Sequence, residues 1–334
     1  GTADQPWQTL AFALSRIRQG EVLYVHGGTY TENIQKLTTH YGTPNQPIYV
    51  TNVPGERPVL KGAISLSRPD YWNFSGLNVT WDPDMSNPPS FMVKIGGGIG
   101  WSWRNSEFSG SLSAGNMYVG LAMVHFGRRI KPVDPKQWTL AGNCFHGLRP
   151  GDTAGKAANL VLGAMHHPKL GTVERNLFFN NENQDNIAIG SADSSPRNVL
   201  LRYNTIYGGR FALRLAGGPK NIRITRNLIG GASSDVLVRY DGNASPGTRL
   251  FQNLAVDAHS LIRSRIGKYI LGTGNVLLGG SGRPGQTTAP TGPTGSTTPT
   301  SAAATSPPVF SSTDSCDGFH TDLPAALPYG RDAL

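Results

Sequence analysis

Short alternating runs of apolar and polar residues, broken by glycine-rich turns, fill most of this 334-residue chain. Residues 199–202, 205–207 and 211–215 are three such runs in succession, each with the length and period of a short β-strand. A central asparagine with apolar residues on both sides recurs along the chain at Asn105, Asn143, Asn176, Asn204, Asn227, Asn253 and Asn275. The intervals of 38, 33, 28, 23, 26 and 22 residues predict one coil of a β-solenoid per repeat, with longer loops in the early coils.

The recurring asparagine suits a tight corner because its side chain tolerates a left-handed backbone and bonds to main-chain groups. Stacked coils place these asparagines in one column. A buried column of this kind satisfies the polar groups that the corners would otherwise leave unpaired. The repeat therefore predicts an internal asparagine ladder running through all of these positions.

One segment has the period of a helix. Leu10, Ala13, Leu14 and Ile17 fall on one face of residues 6–20, which begin with a proline and end with a glycine. An amphipathic helix at this place would cover the first coil, whose strand edges and core would otherwise be exposed. The sequence therefore predicts a helix that caps the N-terminal end of the solenoid.

The composition fits a thin solenoid rich in turns. The chain has 42 glycines and 24 prolines, and its hydrophobic content of 38% suits strands in which roughly alternate residues face solvent. No run approaches the ~18 apolar residues of a membrane span, so none is expected. Residues 281–307 are rich in Thr, Pro, Gly and Ser and are predicted to form an exposed linker or excursion, because they cannot pack a core.

The formal net charge of +9 predicts attraction to a polyanion, which would be an acidic polysaccharide, an anionic cell wall or nucleic acid. Nucleic acid is rejected because the basic residues are dispersed and no recognised binding module appears. A basic surface without a specific partner is the alternative.

Both ends of the chain carry a resemblance to a known family. Residues 6–10, 20–25 and 27–34 resemble the opening of secreted bacterial right-handed parallel β-helix proteins of the pectate-lyase-like superfamily. Residues 308–334 are similar to the segment that closes such chains by folding back after the last coil. The resemblance implies an all-β fold, a single-stranded right-handed parallel β-helix over residues 1–280, and an extracellular location, secreted or on the cell surface.

The chain contains two cysteines, Cys144 beside a ladder position and Cys316 in the closing segment. Two are too few for a metal–thiolate cluster or a disulfide framework. One bridge between them and two unpaired buried thiols are both open alternatives.

The resemblance also implies that chemistry lies on the outer face of the sheet formed by the strands after each glycine turn. Alternation predicts that Lys94, Arg214 and Arg239 point outward there, with the two arginines one coil, ~5 Å, apart. Guanidinium forks bind carboxylates bidentately, so the arginines are expected to clamp a uronate. His166 and His167 follow a strand of this sheet and are the candidates for proton transfer. Arginines that only bridge coils, and ordinary surface histidines, are the alternatives.

The expected substrate-binding residues are Lys94, Arg210, Trp101 and Trp103. The two tryptophans would stack on sugar faces if they are exposed. Tryptophan at a strand position is also typical of a core, which is the alternative for both.

Acidic residues support a rival chemistry. Glu182, Asp185, Asp193, Asp235 and Asp241 flank strands of the same sheet, and paired carboxylates on neighbouring coils are the catalytic groups of glycoside hydrolases. Asp185 and Asp193 are also candidate ligands for Ca²⁺, which prefers hard oxygen atoms. The alternative is that aspartate is simply favoured in turns.

The expected function is that of an extracellular carbohydrate-active protein, a polysaccharide lyase that cleaves an acidic polysaccharide by β-elimination. No position matches a diagnostic lyase motif. Two alternative functions therefore remain open: a glycoside hydrolase, and a non-catalytic surface, spike or filament subunit. In the filament, residues 309–334 would dock on a neighbouring molecule and mediate self-association.

Overall fold

The structure, a computed structural model, describes residues 1–2, 4–38, 40–120, 136–149, 157–163, 170–181, 184–190, 196–234, 236–241, 247–257, 260–262, 271–278 and Cys316. These residues form the helix α1 (Leu10–Arg16) and a series of short strands. In chain order the strands are β1 (Val22–Val25), β2 (Gly28–Thr38), β3 (Ile48–Asn52), β4 (Pro58–Ser67), β5 (Trp72–Ser75), β6 (Asn78–Thr80), β7 (Phe91–Gly96), β8 (Trp101–Arg104), β9 (Glu107–Ser109), β10 (Gly115–Gly120), β11 (Lys136–Ala141), β12 (Cys144–His146), β13 (Ala158–Leu162), β14 (Leu170–Glu174), β15 (Leu177–Phe178), β16 (Asp185–Ile189), β17 (Arg197–Arg202), β18 (Thr205–Tyr207), β19 (Phe211–Ala216), β20 (Lys220–Thr225), β21 (Leu228–Gly230), β22 (Val236–Asp241), β23 (Arg249–Phe251), β24 (Leu254–Val256), β25 (Ser260–Ile262) and β26 (Val276–Leu278).

The strands stack into a parallel β-solenoid with three faces. Sheet 1 contains β1, β3, β5, β8, β11, β14, β17, β20 and β23. Sheet 2 contains the short strands that follow the asparagine corner, β6, β9, β12, β15, β18, β21, β24 and β26. Sheet 3 contains β7, β10, β13, β16, β19, β22 and β25, and it joins sheet 2 through β4, which pairs with both β6 and β7. The predicted parallel β-helix with one helix near its N-terminus is confirmed.

The predicted asparagine ladder runs along the corner between sheets 1 and 2. In each step, one asparagine Oδ1 accepts from both the backbone N–H and the side-chain amide of the asparagine one coil earlier. For Asn176 and Asn204 both distances are 3.0 Å. The members are Asn143, Asn176, Asn204, Asn227, Asn253 and Asn275.

The ladder does not include Asn105, and this part of the prediction is wrong. The backbone N–H of Ser106 donates to Asn143 Oδ1 at 3.1 Å, so Ser106 occupies the ladder position in that coil. Asn105 lies one residue earlier with φ 50°, in the left-handed position that Gly142 and Arg175 take in the next two coils. Asparagine is favoured at both positions of the corner, so the sequence phrase alone does not separate them.

A second, shorter ladder lies near the corner between sheets 2 and 3, and the sequence analysis missed it. The Asn116 amide donates to Asn159 Oδ1, and the Asn159 amide donates to Asn186 Oδ1, both at 2.8 Å. All three side chains are buried. Asn186 then donates to the carbonyl of Gly208 at 2.9 Å. In each strand the asparagine is the second residue and an apolar residue follows it, which is the signal that could have revealed the ladder.

The interior is filled by stacked aromatic and aliphatic side chains. Phe108, Phe145 and Phe178 of successive coils stack at centroid distances of 4.6 and 4.8 Å. Trp101 and Trp103 belong to this core, with 1% and 0% of their surface exposed. They therefore do not present a ring face to a sugar, and their proposed role in substrate binding is corrected. Alternation explains the result, because two residues apart on a strand they share its inward face.

The capping helix is shorter than predicted. It begins after Thr9, whose hydroxyl accepts the N–H of Phe12 at 3.3 Å, and not at the earlier proline. The carboxylate of Glu32 accepts the N–H groups of Leu10 and Ala11 at 2.6 and 2.8 Å, which satisfies two donors of the first turn. These contacts from β2 fix the start of the helix, which a sequence pattern cannot reveal.

Of the two alternatives for the cysteines, the structure has the bridge. Cys144 in β12 is disulfide-bonded to Cys316, with 5.9 Å between the Cα atoms. Apart from Cys316, the linker predicted at 281–307 and the closing segment predicted at 308–334 lie outside the described residues. In the part of the chain that the structure describes, no helix is long and apolar enough to cross a membrane.

Candidate active site on sheet 3

The outer face of sheet 3 carries one continuous row of residues, paired coil by coil. This sheet 3 row consists of Ser65, Lys94, Tyr118, Val161, Ala188, Arg214 and Arg239. As alternation predicts, Lys94 is exposed and Arg214 lies directly opposite Arg239 on the next coil. From Lys94 to Arg239 the row takes five coil steps, about 24 Å at the usual strand spacing.

At one end of the row, Arg214 binds a buried carboxylate. Its Nε donates to Asp185 Oδ2 at 2.5 Å, and only 4% of Asp185 is exposed. Burial raises the pKa of Asp185, while the positive charges of Arg214, Arg239 and Arg210 act in the opposite direction. The structure thus brings together three arginines that the sequence analysis had placed in the site, around a carboxylate that holds one of them.

The other two arginines, Arg210 and Arg239, lie beside the ring of Phe211. The guanidinium carbons of Arg210 and Arg239 lie 5.4 and 5.6 Å from the centroid of its ring, within the range of cation–π attraction. Arg239 Nε also donates to Asp241 on the same strand at 2.7 Å. We call Arg210, Arg214 and Arg239 the arginine cluster. Its three positive charges face two carboxylates, so the cluster is short of one negative charge.

This environment bears on the candidate Ca²⁺ ligands. Asp185 is already bound by Arg214 and lies within the electrostatic influence of two more arginines, which repel a divalent cation. Asp193, the other candidate ligand, lies outside the described residues. Asp185 therefore does not fit a Ca²⁺ site, and its role is to hold Arg214.

At the other end of the row lies Tyr118, which the sequence analysis overlooked. It pairs with Lys94 on the preceding coil, and burial raises the pKa of its half-buried phenol. Its ring lies over Gly120 and Gly163, where an added Cβ would overlap it. The alternation in β10, with Met117 and Val119 buried, is the signal that places Tyr118 outside.

Between the two ends, Val161 is partly exposed and Ala188 is buried. Tyr118 and Arg214 are three coil steps apart, about 14 Å, so they cannot act on the same atom. The row therefore has two separated polar ends with two apolar residues between them. An extended chain with polar groups at intervals fits this arrangement better than a single small molecule does.

The carboxylate pairs considered for glycoside hydrolysis are only partly described. Glu182, Asp193 and Asp235 lie outside the described residues. Asp185 and Asp241 differ by five residues along the strand and by two coils, which puts their Cα atoms about 19 Å apart. Catalytic carboxyl groups of glycosidases are about 5 to 9.5 Å apart, so these two do not form such a pair. His166 and His167 also lie outside the described residues.

A second polar cluster lies on sheet 2, beside the disulfide. His146 Nε2 lies 2.8 Å from Glu107 Oε1, and Arg57 also binds this carboxylate. The hydrogen bond from His146 is the largest cause of the lowered pKa of Glu107. The positive charges of His146 and Arg57 lower it further. Cys144 and Cys316 lie close to His146, but their sulfur atoms are bonded to each other and do not serve as metal ligands. The contacts of this cluster are satisfied within the chain, which indicates a structural role.

The buried pair of Asp185 and Arg214 predicts a pH effect on stability. Because the folded pKa of Asp185 is raised above its ordinary value of 3.8, the folded protein binds this proton more tightly than the unfolded chain does. The stability that this group contributes is complete below about pH 3.8 and is lost as the pH rises through the folded pKa. We expect the Tm of the wild type, relative to that of Asp185→Asn, to fall as the pH rises above about 4 and through the folded pKa of Asp185. Thermal unfolding of both proteins across this range measures it, and a difference independent of pH would contradict the raised pKa.

Comparison with known proteins identifies the fold. No protein-family model and no curated protein matches the sequence. Among solved structures, XylC in complex with xylose is similar, with a TM-score of 0.52 and 11% identity over 83% of this chain and 66% of that one. Two structures of the PL6 family alginate lyase AlyGC, one of them an arginine mutant, align over 96% of this chain and 55% of theirs, at 12% and 11% identity and TM-scores of 0.27 and 0.26. The chain thus spans about two thirds of XylC and about half of AlyGC. The likeness to XylC supports the β-helix fold alone, and the alignments with AlyGC carry no argument.

Proposed function

We propose that the protein is an extracellular polysaccharide lyase that cleaves an acidic, uronate-containing polysaccharide by β-elimination, with the sheet 3 row as its substrate groove. One observation carries the proposal: three arginines converge on the outer face of one sheet, at one end of the sheet 3 row. A site with an excess of positive charge and a row long enough for several sugars suits an anionic polymer.

The way the arginines are held supports their role as a clamp. Arg214 and Arg239 each donate Nε to a carboxylate of this chain, Asp185 and Asp241. A guanidinium has five N–H donors in a rigid fork, so the terminal groups remain to bind a second carboxylate. The Arg239 side chain is 41% exposed and that of Arg214 is 16% exposed, so both are open to solvent in part. Fixing the fork through Nε reduces the entropy that is lost when the substrate binds.

The proposed reaction divides the work between charge stabilisation and proton transfer. A base removes the proton from the carbon next to the uronate carboxylate, and its electron pair forms a carbon–carbon double bond as the glycosidic C–O bond breaks. The leaving oxygen takes up a proton. The arginine cluster stabilises the negative charge that develops on the carboxylate. His166 or His167 is proposed as the base.

The far end of the row is proposed to bind another part of the same chain. Lys94 and Tyr118 are about 14 Å or more from Arg214, so they would contact a sugar residue that does not react. The ammonium group of Lys94 suits the carboxylate of such a residue. XylC, which shares this fold, is described with xylose, and a sugar ligand for the present chain is part of this proposal.

The test is the ultraviolet absorbance of the conjugated double bond that β-elimination creates. The protein is incubated with a panel of uronate-containing polysaccharides, a sulfated polysaccharide without uronate and a neutral one, each with and without added Ca²⁺. We expect absorbance to rise with at least one uronate polymer and not with the neutral one. New reducing ends without absorbance would replace the lyase by a hydrolase, and no cleavage of any polymer would overturn the proposal.

The filament assignment has less support. It requires residues 309–334 to dock on a neighbouring molecule, whereas Cys316 of that segment is bonded to Cys144 of the same chain. A light-scattering measurement of the purified protein separates the two assignments, because a filament subunit would form large assemblies.

A further inference from the structure

A cleft of about 500 Å³ opens at the corner between sheets 1 and 2, away from the sheet 3 row. It lies over Ala141 and Gly142, with Arg104 and Asn105 on the preceding coil and Glu174 and Arg175 on the following one. We call it the corner cleft. No function was assigned to this corner from the sequence, beyond the asparagine ladder behind it.

The corner cleft exists because one coil lacks long side chains. Ala141 pairs with Arg104 on one side and with Glu174 on the other, so a methyl group stands between two long side chains. Coils are about 4.8 Å apart, and a coil without side chains leaves a gap of about 10 Å, enough for a carboxylate, a sulfate or the edge of a sugar ring. At Gly142, where φ is 65°, an added Cβ would lie 2.6 Å from Asn105 Oδ1, so the Asn105 side chain packs against this position and a larger residue would displace it.

The corner cleft has a larger excess of positive charge than the sheet 3 row. Arg202 is paired with Glu174 at 2.7 Å. In the part of the chain that the structure describes, no hydrogen bond or ion pair is formed by the side chain of Arg104 or by that of Arg175. The guanidinium carbons of Arg175, Arg202 and Arg226 all lie within 5.7 to 5.9 Å of the Tyr203 ring centroid.

The lining of the corner cleft therefore has three arginines for one carboxylate, whereas the arginine cluster on sheet 3 has two carboxylates for three arginines. Like charges held this close repel one another, and a bound oxyanion would relieve the repulsion. The Tyr203 ring is surrounded by guanidinium groups, so it does not offer the free aromatic face on which the bases of single-stranded nucleic acid stack. The charge and the crowded ring together favour a sugar-borne oxyanion over a nucleic acid.

We propose that the corner cleft is a second, non-catalytic binding site for an anionic sugar residue, with its carboxylate or sulfate held between Arg104 and Arg175. Glu174 is paired with Arg202 and the Tyr203 hydroxyl accepts a hydrogen bond from Arg226, so both groups of the lining that could transfer a proton are already engaged. The identification of the ligand as a polysaccharide rests on the proposed function. The cleft would hold a second stretch or a second chain of polymer against the solenoid.

The experiment is isothermal titration calorimetry of the full chain in an Arg214→Ala/Asp185→Asn background, which slows turnover without leaving an uncompensated buried charge. The probes are an oligouronate, a sulfated oligosaccharide without uronate, inorganic sulfate and single-stranded DNA. Arg104→Ala combined with Arg175→Ala is expected to weaken oligosaccharide binding by about tenfold or more. The matched control, Arg197→Ala with Arg223→Ala, also removes two exposed arginines and should change binding by less than about twofold.

A second variant tests the corner cleft itself. Ala141→Glu places a carboxylate between Arg104 and Glu174, where the oxyanion of the ligand would sit, so binding should be lost. The oligouronate and the sulfated oligosaccharide identify which oxyanion the site takes. Oligosaccharide binding that is equal in the cleft variants and the control would overturn the proposal, as would an effect limited to DNA. Binding that is weakened in the cleft variants, with no unsaturated product from the wild type, would overturn the lyase assignment alone. Lyase activity of the wild type, with binding unchanged in the cleft variants, would overturn the corner cleft proposal alone.

Discussion

Replacing Arg214 by alanine is expected to lower kcat/KM for β-elimination by about 10²- to 10³-fold, the range found when one preorganised donor to a developing negative charge is removed. Arg214 is the member of the arginine cluster that is held by a buried carboxylate, so its fork is the best fixed of the three. The rate of appearance of the unsaturated product measures the effect. Arg214→Lys should restore little, because a lysine provides charge without the bidentate fork.

The alanine variant has a side effect that needs a control. Without Arg214, the buried Asp185 carboxylate loses its hydrogen-bonding partner, and an uncompensated buried charge destabilises the fold. The double variant Arg214→Ala/Asp185→Asn removes that charge as well and should recover stability but not activity. Arg223→Ala, a distant exposed arginine on sheet 1, should leave activity unchanged. Wild-type activity in the double variant would contradict the clamp and reduce Arg214 to a structural residue.

The fold could be predicted from the sequence because its periodic feature is also its stabilising feature. An asparagine that bonds to the next coil must recur in every coil, so the ladder appears in the sequence as spacing. The error at Asn105 has a physical cause: both residues of the corner tolerate asparagine, and only hydrogen bonds show that Ser106 holds the ladder position. The second ladder was missed because its three members, Asn116, Asn159 and Asn186, span too few coils to establish a period.

The site could be predicted only where it depends on alternation within a strand. Arg214 and Arg239 were placed correctly because each lies between inward apolar residues, and the same reasoning applied to β10 would have found Tyr118. The partner of Arg214 could not be found in this way. Asp185 lies 29 residues earlier, and its position relative to Arg214 depends on the register across a turn whose length varies from coil to coil.

The largest effect on stability is expected from the ladder, at Asn204. Its amide donates to Val173 O and Asn227 Oδ1, both at 2.9 Å, and its Oδ1 accepts twice from Asn176 at 3.0 Å. Asn204→Leu removes all four bonds in a fully buried place. Asn227 Oδ1 keeps the backbone N–H of residue 204 and the Asn176 amide keeps Leu140 O, but the Asn176 backbone N–H loses its ladder acceptor and Val173 O loses the amide donor. Since each stranded buried group costs about 1 to 3 kcal/mol, we expect the free energy of unfolding to fall by about 5 kcal/mol. Denaturant unfolding monitored by circular dichroism measures it.

Two asparagines serve as matched controls for this prediction. Asn275 lies at the end of the described ladder and is only partly buried, so Asn275→Ser should cost less than Asn204→Leu, and it keeps the measurement possible if the latter fails to fold. Asn105 belongs to the same sequence phrase but lies outside the ladder, in a left-handed conformation that glycine adopts without strain. Asn105→Gly should therefore change stability by less than about 1 kcal/mol. Equal decreases in the free energy of unfolding for Asn105→Gly and Asn204→Leu would show that the sequence phrase, and not the observed hydrogen bonds, defines the ladder.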